Sequence, residues 1–368
     1  MSGLDGSLMD GAHPDEVTRR GISRRAALAG GGAAMLATAL AACGKSDDDD
    51  DGAAAASAGA GNFPKTPEYN FVFVNHVTTN PFFVPTQYGI EDASALLKTK
   101  FQWTGSKTAD VGEMVSAMNT AIAAKADGIA VCLVDTKAFN GPTDKALDAG
   151  IPVFSYNADT ANNRLAYIGQ DLFQSGVEMG KRIVELVPSG KVALFIATPG
   201  SLNIQPRIDG AIQAIKDSGK PIEYKSIATG AELNEELSRV DAYYLGNKDI
   251  KGMFAVDAGS TQSVGQVIQK YKLRDKGMKG GGYDTLPKTL ELLQADQLDF
   301  TIDQQPYLQG FFPVMQMYLT KISGNLTGPA EMNTGLKFVT KDDAGSYSAN
   351  PSRFEGSTKE QKVIRSGA

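Results

Sequence analysis

Short apolar segments alternate with longer segments of helical periodicity along most of the chain, from about Tyr69 onward. The apolar segments are rich in β-branched and aromatic residues and end at turn-forming residues, a pattern typical of strands. The predicted strands are Phe71–Val74, Phe101–Trp103, Gly128–Val134, Ile151–Tyr156, Leu165–Ile168, Lys191–Thr198, Ile222–Ala228, Gly252–Val256, Gly280–Tyr283 and Asp299–Asp303.

Apolar residues recur at the 3.6-residue spacing of an amphipathic helix between these strands. In the clearest case, Val111, Met114 and Met118 share one face of a single segment. Helices are predicted at Val84–Lys98, Val111–Ala124, Val177–Val187, Ile208–Ile215, Glu232–Leu245, Ser263–Tyr271 and Leu308–Ile322.

The alternation of strands and helices determines the expected fold class. Apolar strands that alternate with helices predict parallel sheets covered on both faces. About ten strands are too many for one small sheet, so the pattern predicts an α/β protein with two doubly wound domains.

The chain before Phe63 lacks this alternation. Arg19-Arg20 and Ser23-Arg24-Arg25 precede an uncharged and mildly apolar run, Ala26–Ala42. This run is too short and too weakly apolar for a membrane span, which needs about 20 apolar residues, and it predicts an export signal. The arginine pair resembles a twin-arginine signal. Because Ala26-Ala27-Leu28 follows it instead of the common Phe-Leu-Lys, general secretion stays open.

A lipid anchor is predicted at the end of this signal. Leu40-Ala41-Ala42-Cys43-Gly44 resembles a lipobox, in which the signal (residues 1–42) is removed and Cys43 is acylated. The alternative is an incidental or buried cysteine. Residues 43–67 contain an aspartate run and many small residues, which predicts a disordered tether. The polar tail, residues 350–368, is expected to be frayed.

Composition narrows the class of protein further. The 368 residues carry a formal net charge of −6, which gives no electrostatic footprint for nucleic acid. The length is ample for two domains. The cysteines are Cys43 and Cys132. Acylation of Cys43 would exclude an intrachain disulfide, and Cys132 lies in a predicted strand, where a buried thiol is expected.

A polar and aromatic stretch follows the first predicted strand. It contains His76, Asn80, Phe82 and Phe83. In an open α/β sheet, ligands bind at the carboxyl ends of the strands. Amide groups can hydrogen-bond sugar hydroxyls, and aromatic rings can pack on the C–H faces of a sugar. The stretch therefore predicts a site for a small polyhydroxy molecule. The alternative is an ordinary strand-to-helix turn with both rings in the core.

Further polar residues follow other predicted strands or lie near a helix start. They are Asn157, Asp257, Asp284, Gln304 and Arg207. Carboxylates and amides accept hydrogen bonds from vicinal hydroxyls, and a guanidinium donates two in a fork. Each residue alone is more often a cap or turn group, but their recurrence at strand ends favours a binding site. Trp103 is the single tryptophan. It is predicted to stack on a sugar face, and the alternative is that its ring packs against other side chains.

Catalytic machinery is scarce in the sequence. His76 is the only histidine besides His13 in the signal, and no histidine and cysteine cluster has metal-ligand spacing. The nucleophile elbow, the P-loop and the dinucleotide fingerprint are absent. A pair of His76 with Asp257 or Asp284 is the only acid–base candidate, and nothing places a nucleophile beside it. We therefore expect a protein that is not an enzyme and holds no cofactor or metal.

The ordered motifs resemble a known family from about Tyr69 to Asp343. The chain is similar to the substrate-binding proteins of bacterial ABC importers, of the ribose-binding-protein type. The motifs that carry this resemblance are Asn80-Pro81-Phe82-Phe83, Ala126-Asp127-Gly128-Ile129, Ala149-Gly150-Ile151-Pro152-Val153, Arg207-Ile208-Asp209-Gly210, Phe254-Ala255-Val256-Asp257, Gly282-Tyr283-Asp284 and Thr301-Ile302-Asp303-Gln304-Gln305-Pro306.

The resemblance implies two Rossmann-like lobes joined by a three-strand hinge, the type I periplasmic binding protein fold, which closes on one sugar. It implies an N-terminal lobe of residues 68–168 plus 306–332 and a C-terminal lobe of residues 169–305 plus 333–349. It also implies ligand contacts from Phe82 and Phe83 (on the sugar faces), His76, Asn80, Asn157, Arg207, Asp257, Asp284 and Gln304 (at a hinge).

The chain departs from the ribose binders at several positions of the implied site. The ribose binders have Asp at the position of Asn157, Arg at that of Ala158, Asn at that of Asp257 and a small residue at that of His76. These departures put ribose in doubt and leave another pentose, a hexose or a linear polyol open.

The expected function is capture of a monosaccharide or polyol by a monomeric lipoprotein on the outer face of the cytoplasmic membrane. The protein would deliver the ligand to an ABC permease and its ATPase, with no nucleic-acid partner. The alternative is a sensor subunit that presents the ligand to a chemoreceptor or histidine kinase.

Overall fold

The computed structural model describes residues 65–324 and 328–348. The predicted signal, Cys43, the tether up to residue 64 and the polar tail lie outside the described residues. Within these two ranges, no helix is both long and apolar enough to cross a membrane.

The strands form two six-stranded sheets. The first has the order β11-β5-β4-β3-β1-β2 and the second the order β12-β10-β9-β8-β6-β7. All the pairings are parallel except that of β10 with β12. The strands are β1 (Asn70–Asn75), β2 (Lys100–Gly105), β3 (Gly128–Val131), β4 (Val153–Tyr156), β5 (Ala166–Gly169), β6 (Gly190–Ile196), β7 (Ile222–Ala228), β8 (Gly252–Ala255), β9 (Lys279–Tyr283), β10 (Phe300–Asp303), β11 (Glu331–Asn333) and β12 (Lys337–Val339).

Helices follow most of the strands. They are α1 (Val84–Leu97), α2 (Val111–Ala123), α3 (Asn140–Asp148), α4 (Leu172–Leu186), α5 (Gln205–Asp217), α6 (Leu233–Gly246), α7 (Ala258–Lys270), α8 (Pro287–Gln294), α9 (Pro306–Ser323) and α10 (Lys341–Ser348). Two short 3₁₀ helices cover Pro81–Phe83 and Leu273–Lys276. The expected α/β class with two parallel sheets is confirmed.

Both faces of the central strands are buried. Phe71, Val72, Phe73 and Val74 of β1 are all buried, as expected for a parallel strand with helices on both sides. Each sheet has its own apolar core, and the second sheet carries one on each face. The two sheets with their helices are therefore two lobes.

The chain passes between the lobes three times. It leaves the first lobe after β5, returns from β10 to α9, which packs on α1, and leaves again between β11 and β12. The crossings are bonded to one another, since Gln170 Nε2 donates to Gly335 O at 3.0 Å and Thr334 Oγ1 to Gln304 O at 2.8 Å. This is the three-stranded hinge. The residue-level lobe boundaries stay a prediction.

A close helix contact fixes one side of the cleft. A Cβ on Gly176 of α4 would lie 2.2 Å from the carbonyl oxygen of Arg207 on α5. No real Cβ contact is that short, so only glycine permits this approach. The sequence of α4 thereby sets the position from which Arg207 reaches the cleft.

Candidate functional site

The loop after β1 is held by its own side chains. Asn75 Oδ1 accepts from the backbone N–H of Val77 at 2.8 Å, and its Nδ2 donates to the Tyr156 hydroxyl at 3.1 Å. Asn80 caps the 3₁₀ turn, because its Oδ1 accepts from the backbone N–H of Phe82 at 3.0 Å. The loop that carries His76 and Asn80 is therefore rigidly placed at the carboxyl end of the first sheet.

The aromatic residues of this region form one cluster. Phe83, 2 % exposed, has its ring centroid 5.3 Å from that of His76, 4.7 Å from that of Phe82 and 5.9 Å from that of Trp103. Trp103 donates from Nε1 to Thr78 O at 3.1 Å. Trp103 thus supports the loop from β2, which accords with the packing alternative. Contact of Phe82 and Phe83 with a ligand stays a prediction.

Arg207 lies near the start of α5 and is 2 % exposed. Its Nη1 donates to Val256 O at 3.0 Å and its Nη2 to Gln170 Oε1 at 3.2 Å. The guanidinium carbon stands 4.1 Å from the centroid of the Tyr283 ring, a cation–π contact. Its positive charge also opposes the rise in pKa that burial causes at Asp257 and Asp284.

Asp257 is the N-cap of α7. Its Oδ1 accepts from the backbone N–H of Ser260 at 2.9 Å and its Oδ2 from that of Ala197 at 2.9 Å. Burial raises the pKa of Asp257, and these hydrogen bonds oppose the rise. Beside it, burial and the Asp257 charge raise the pKa of Glu236 on α6 to about 9.

A hydrogen-bonded chain connects three predicted site residues through the hinge. Gln304 Nε2 donates to Asp284 Oδ1 at 2.7 Å, Gln309 Nε2 to Gln304 Oε1 at 3.1 Å, and Asn157 Nδ2 to Gln309 Oε1 at 3.2 Å. Asn157 and Asp284 have φ angles of 65° and 73°. Asn and Asp tolerate this left-handed conformation, which turns the chain sharply at each strand end. The chain of hydrogen bonds joins the cleft residues of both lobes to the hinge.

Among the described residues, two hydrogen bonds join the lobes across the cleft. Asn203 Nδ2 bonds His76 Nε2 at 3.2 Å, and the backbone N–H of Leu202 donates to Val134 O at 3.0 Å. The Ser201 hydroxyl donates to Asn203 Oδ1 at 2.6 Å, so the amide turns its nitrogen toward His76. Next to these contacts lies a cavity of about 50 Å³, whose lining includes His76, Asn80, Asn203, Glu236 and Asp257.

The structure brings most of the predicted residues to one cleft, in two groups. His76, Asn80 and Asp257 line the cavity, whereas Asn157, Asp284 and Gln304 belong to the hinge-side chain, with Arg207 beside them. Trp103 belongs to neither group.

Several buried polar atoms of the cleft have no hydrogen-bond partner among the described residues. They are His76 Nδ1, Asn157 Oδ1, Arg207 Nε and Glu236 Oε2. Buried polar groups are nearly always bonded, so these atoms are candidates to bond a polar ligand. Together they offer donors and acceptors suited to hydroxyl groups.

Sequence reasoning missed four residues of the cleft. Gln170 directly follows β5 at a hinge crossing, whereas Asn203, Glu236 and Gln309 lie in a loop or a helix. For Gln170 the strand end was a signal that could have found it, and no strand end marks the other three. Over the described ranges, no cluster of His, Cys, Asp and Glu is suited to a metal ion.

Two parallel α/β lobes joined by a three-stranded hinge, with polar groups of both lobes in the cleft, define a hinged solute-binding protein. Residues 71–324 match the family model described as periplasmic binding protein domain, and the chain belongs to that family. This confirms the resemblance found in the sequence. The family consists of exported solute-binding proteins and not of enzymes, so the expectation of binding without catalysis is also confirmed.

One similar protein is the xylose/arabinose-binding protein XylF of Sulfolobus acidocaldarius. The two chains are 50% identical over 318 residues, which cover 82% of this chain and 78% of the relative.

Solved structures show the same fold at lower identity. One is an ABC transporter solute-binding protein from Burkholderia graminis in complex with D-arabinose, with a TM-score of 0.72, 24% identity, and coverage of 78% of this chain and 100% of that chain. Another is AraP, an arabinose-binding protein from Geobacillus stearothermophilus, with a TM-score of 0.62, 23% identity, and coverage of 76% and 98%. At this identity the likeness shows the fold alone.

Proposed function

We propose that the protein binds a pentose, xylose or arabinose, in its cleft and delivers it to the membrane permease of an ABC importer. The observation that carries the proposal is the 50% identity, over 82% of the chain, to a xylose/arabinose-binding protein. This narrows the range of ligands that the sequence alone left open. The family match, which agrees with the resemblance to substrate-binding proteins of ABC importers, supports import.

The chemistry of the cleft supports a neutral polyhydroxy ligand. The groups that face it are amides, carboxyls, one guanidinium and one imidazole, and burial lowers the pKa of His76 to about 4. His76 is therefore neutral at pH 7 and adds no charge. Such a set bonds hydroxyls in both directions, with the rings of Phe82 and Phe83 proposed to lie on the sugar's C–H faces.

Ligand entry requires the lobes to move apart. The cavity between them measures about 50 Å³, whereas ligand sites usually measure about 300–1,000 Å³. The two bonds across the cleft, from Asn203 to His76 and from Leu202 to Val134, are those that opening breaks. The structure therefore corresponds to a closed arrangement.

Purified protein is expected to select pentoses from a panel of sugars and sugar alcohols. The panel holds D-xylose, L-arabinose, D-arabinose, ribose, glucose, galactose, xylitol and sorbitol. A ligand at 100 times its Kd stabilises the folded state by about 2.7 kcal/mol, which raises Tm by roughly 5 °C for a protein of this size. We expect such a rise for xylose or arabinose, with Kd then measured by calorimetry.

Xylitol is the matched control, since it has the hydroxyls of xylose without the ring. A larger Tm rise with xylitol than with any pentose would transfer the assignment to polyols. A flat response to all eight compounds would refute carbohydrate binding.

We also propose that Cys43 anchors the protein in the cytoplasmic membrane after removal of residues 1–42. The lipobox-like sequence Leu40-Ala41-Ala42-Cys43 supports this. Cys43→Ser is expected to move the protein from the membrane fraction to the soluble exported fraction, as followed by fractionation and by the mass of the mature chain. Cys132→Ser, which replaces a buried thiol, is the control, and this variant should stay in the membrane fraction. Equal fractionation of wild type and Cys43→Ser would contradict the anchor.

A further inference from the structure

Glu236 is a buried carboxyl group of the cleft that no pattern in the sequence singles out. It lies on the first turn of α6, is 2 % exposed, and lines the same cavity as His76 and Asn203. Its Oε2 has no hydrogen-bond partner within the described part of the chain. A buried carboxyl oxygen without a partner is costly, so a role at the ligand is indicated.

Space for this carboxyl is built into the fold. A Cβ on Gly259, which also lines the cavity, would lie 2.1 Å from Glu236 Oε2. Any larger residue in place of Gly259 would displace the carboxyl. The glycine thus permits Glu236 to reach the cavity beside Asp257.

The neighbouring groups decide which of the two carboxyls carries the proton. Both oxygens of Asp257 accept backbone N–H groups, at the positive end of the α7 dipole, so the negative charge belongs on Asp257. At Glu236, burial and then the Asp257 charge raise the pKa to about 9. A hydrogen bond from Ser260 opposes this rise, whereas a hydrogen bond with Asp257 and the Glu232 charge add to it. Glu236 is therefore neutral at pH 7.

The His76 side of the cavity, like Glu236, carries no charge. Because Asn203 Nδ2 donates to His76 Nε2, the ring proton of the neutral His76 is on Nδ1. Arg207, the nearby cation, favours the ionised form of Asp257. The cavity thus combines a neutral imidazole, a neutral carboxyl and a carboxylate whose oxygens already have backbone partners.

We propose that Glu236, in its protonated form, hydrogen-bonds a hydroxyl group of the bound pentose; this rests on the proposed function. A protonated carboxyl donates through its O–H and accepts through its other oxygen, so it matches a hydroxyl, which also does both. Glu236 then determines specificity, because a pentose without that hydroxyl leaves a buried polar group unsatisfied.

Two substitutions at this position test the role of the proton. The glutamine amide, like a protonated carboxyl, both donates and accepts in nearly the same shape, so Glu236→Gln should bind the preferred pentose within about threefold of wild type. Leucine keeps the size but has no polar atom, so Glu236→Leu should raise Kd by roughly tenfold or more. Glu235→Leu, an exposed neighbour on the same helix, should leave Kd unchanged.

A pH profile gives a readout that a purely structural role would not produce. Wild-type Kd should rise between pH 8 and 10, as Glu236 loses its proton beside the Asp257 charge, whereas Glu236→Gln should show no such rise. This comparison stands even if Glu236→Leu fails to fold, which circular dichroism will show.

Three results would overturn the inference. They are a folded Glu236→Leu that binds within twofold of wild type, a Glu236→Gln as weak as Glu236→Leu, or identical pH profiles for wild type and Glu236→Gln. Each leaves the proposed function standing, because the wild-type protein still binds the pentose. Wild-type protein that binds no pentose contradicts the proposed function and this inference together.

Discussion

Arg207→Met is expected to weaken pentose binding by at least about 100-fold and to lower the free energy of unfolding by about 3–5 kcal/mol. Methionine replaces much of the volume of the buried arginine but none of its five donors. Val256 O and Gln170 Oε1 each lose a charged partner, and the Tyr283 ring loses its cation. Asp257 and Asp284 also lose the positive charge that favours their ionised forms.

Arg207 links the candidate site to the hinge, which is why a single change is expected to affect both binding and stability. Gln170, which accepts from Arg207, also donates to Gly335 O on another hinge segment. Removing the guanidinium is thus expected to loosen both the hinge segment after β5, which contains Gln170, and the candidate site. Denaturant unfolding measures the loss of stability, and calorimetry measures the loss of binding.

Two further variants separate charge from geometry at this position. Arg207→Lys keeps the positive charge but not the planar fork, and should fall between wild type and Arg207→Met in both assays. Arg239→Met removes an exposed arginine of α6 and should match wild type. Arg207→Met with pentose affinity within threefold of wild type would remove Arg207 from the binding site.

The repeating pattern of the chain was sufficient to predict the sheets. All ten strands predicted from apolar runs have a counterpart, with end points that differ by a few residues. The strand predicted as Gly128–Val134 ends at Val131. Cys132 N–H still donates to Val74 O of the paired strand β1, but Leu133 N–H donates to Ala158 O, which lies beyond the end of β4. A continuous apolar run cannot reveal where ladder pairing stops.

Elements with weak periodicity were missed. Helix α3 buries only Thr143 and Ala146, and α8 has only eight residues, so neither produces a long apolar stripe. Strand β11 is a three-residue edge strand without buried residues. Their positions are set by tertiary contacts and not by the local sequence.

The candidate site was predictable mainly where it coincides with strand ends. His76, Asn157, Asp257 and Asp284 follow strands, and parallel pairing brings such residues to one edge. Glu236 and Gln309 sit within helices, where a polar residue normally faces water, and only the packing of α6 and α9 turns them inward. The ligand contacts of the ten predicted residues stay predictions.

Asp284→Asn is expected to stabilise the folded protein at pH 7.5 by roughly 2–4 kcal/mol while it weakens pentose binding by roughly tenfold. Burial raises the pKa of Asp284 from 3.8 to about 7, and the opposing effects of Arg207 and Gln304 offset only part of the rise. The folded state therefore disfavours the charge that the unfolded state accepts freely. Asparagine keeps the oxygen that accepts from Gln304 Nε2 but carries no charge.

The pH dependence of this gain follows from the direction of the pKa shift. Between pH 3.8 and about 7 the folded state binds more protons at Asp284 than the unfolded state, so wild-type stability falls as the pH rises through this window. The amide in the Asp284→Asn variant does not titrate, so the variant shows no such fall. The advantage of the variant is thus expected to be smallest at pH 4 and to reach its maximum above pH 7.

Guanidinium unfolding of both proteins at pH 4, 5.5 and 7.5 measures this difference directly. Asp249→Asn is the matched control with the opposite sign, because Asp249 is exposed and Lys191 lowers its pKa. That variant should gain nothing at pH 7.5. A difference between wild type and Asp284→Asn that stays constant from pH 4 to 7.5 would mean that Asp284 binds protons equally in the folded and unfolded states. Its pKa would then not be raised by folding, and the cost assigned to its burial would be wrong.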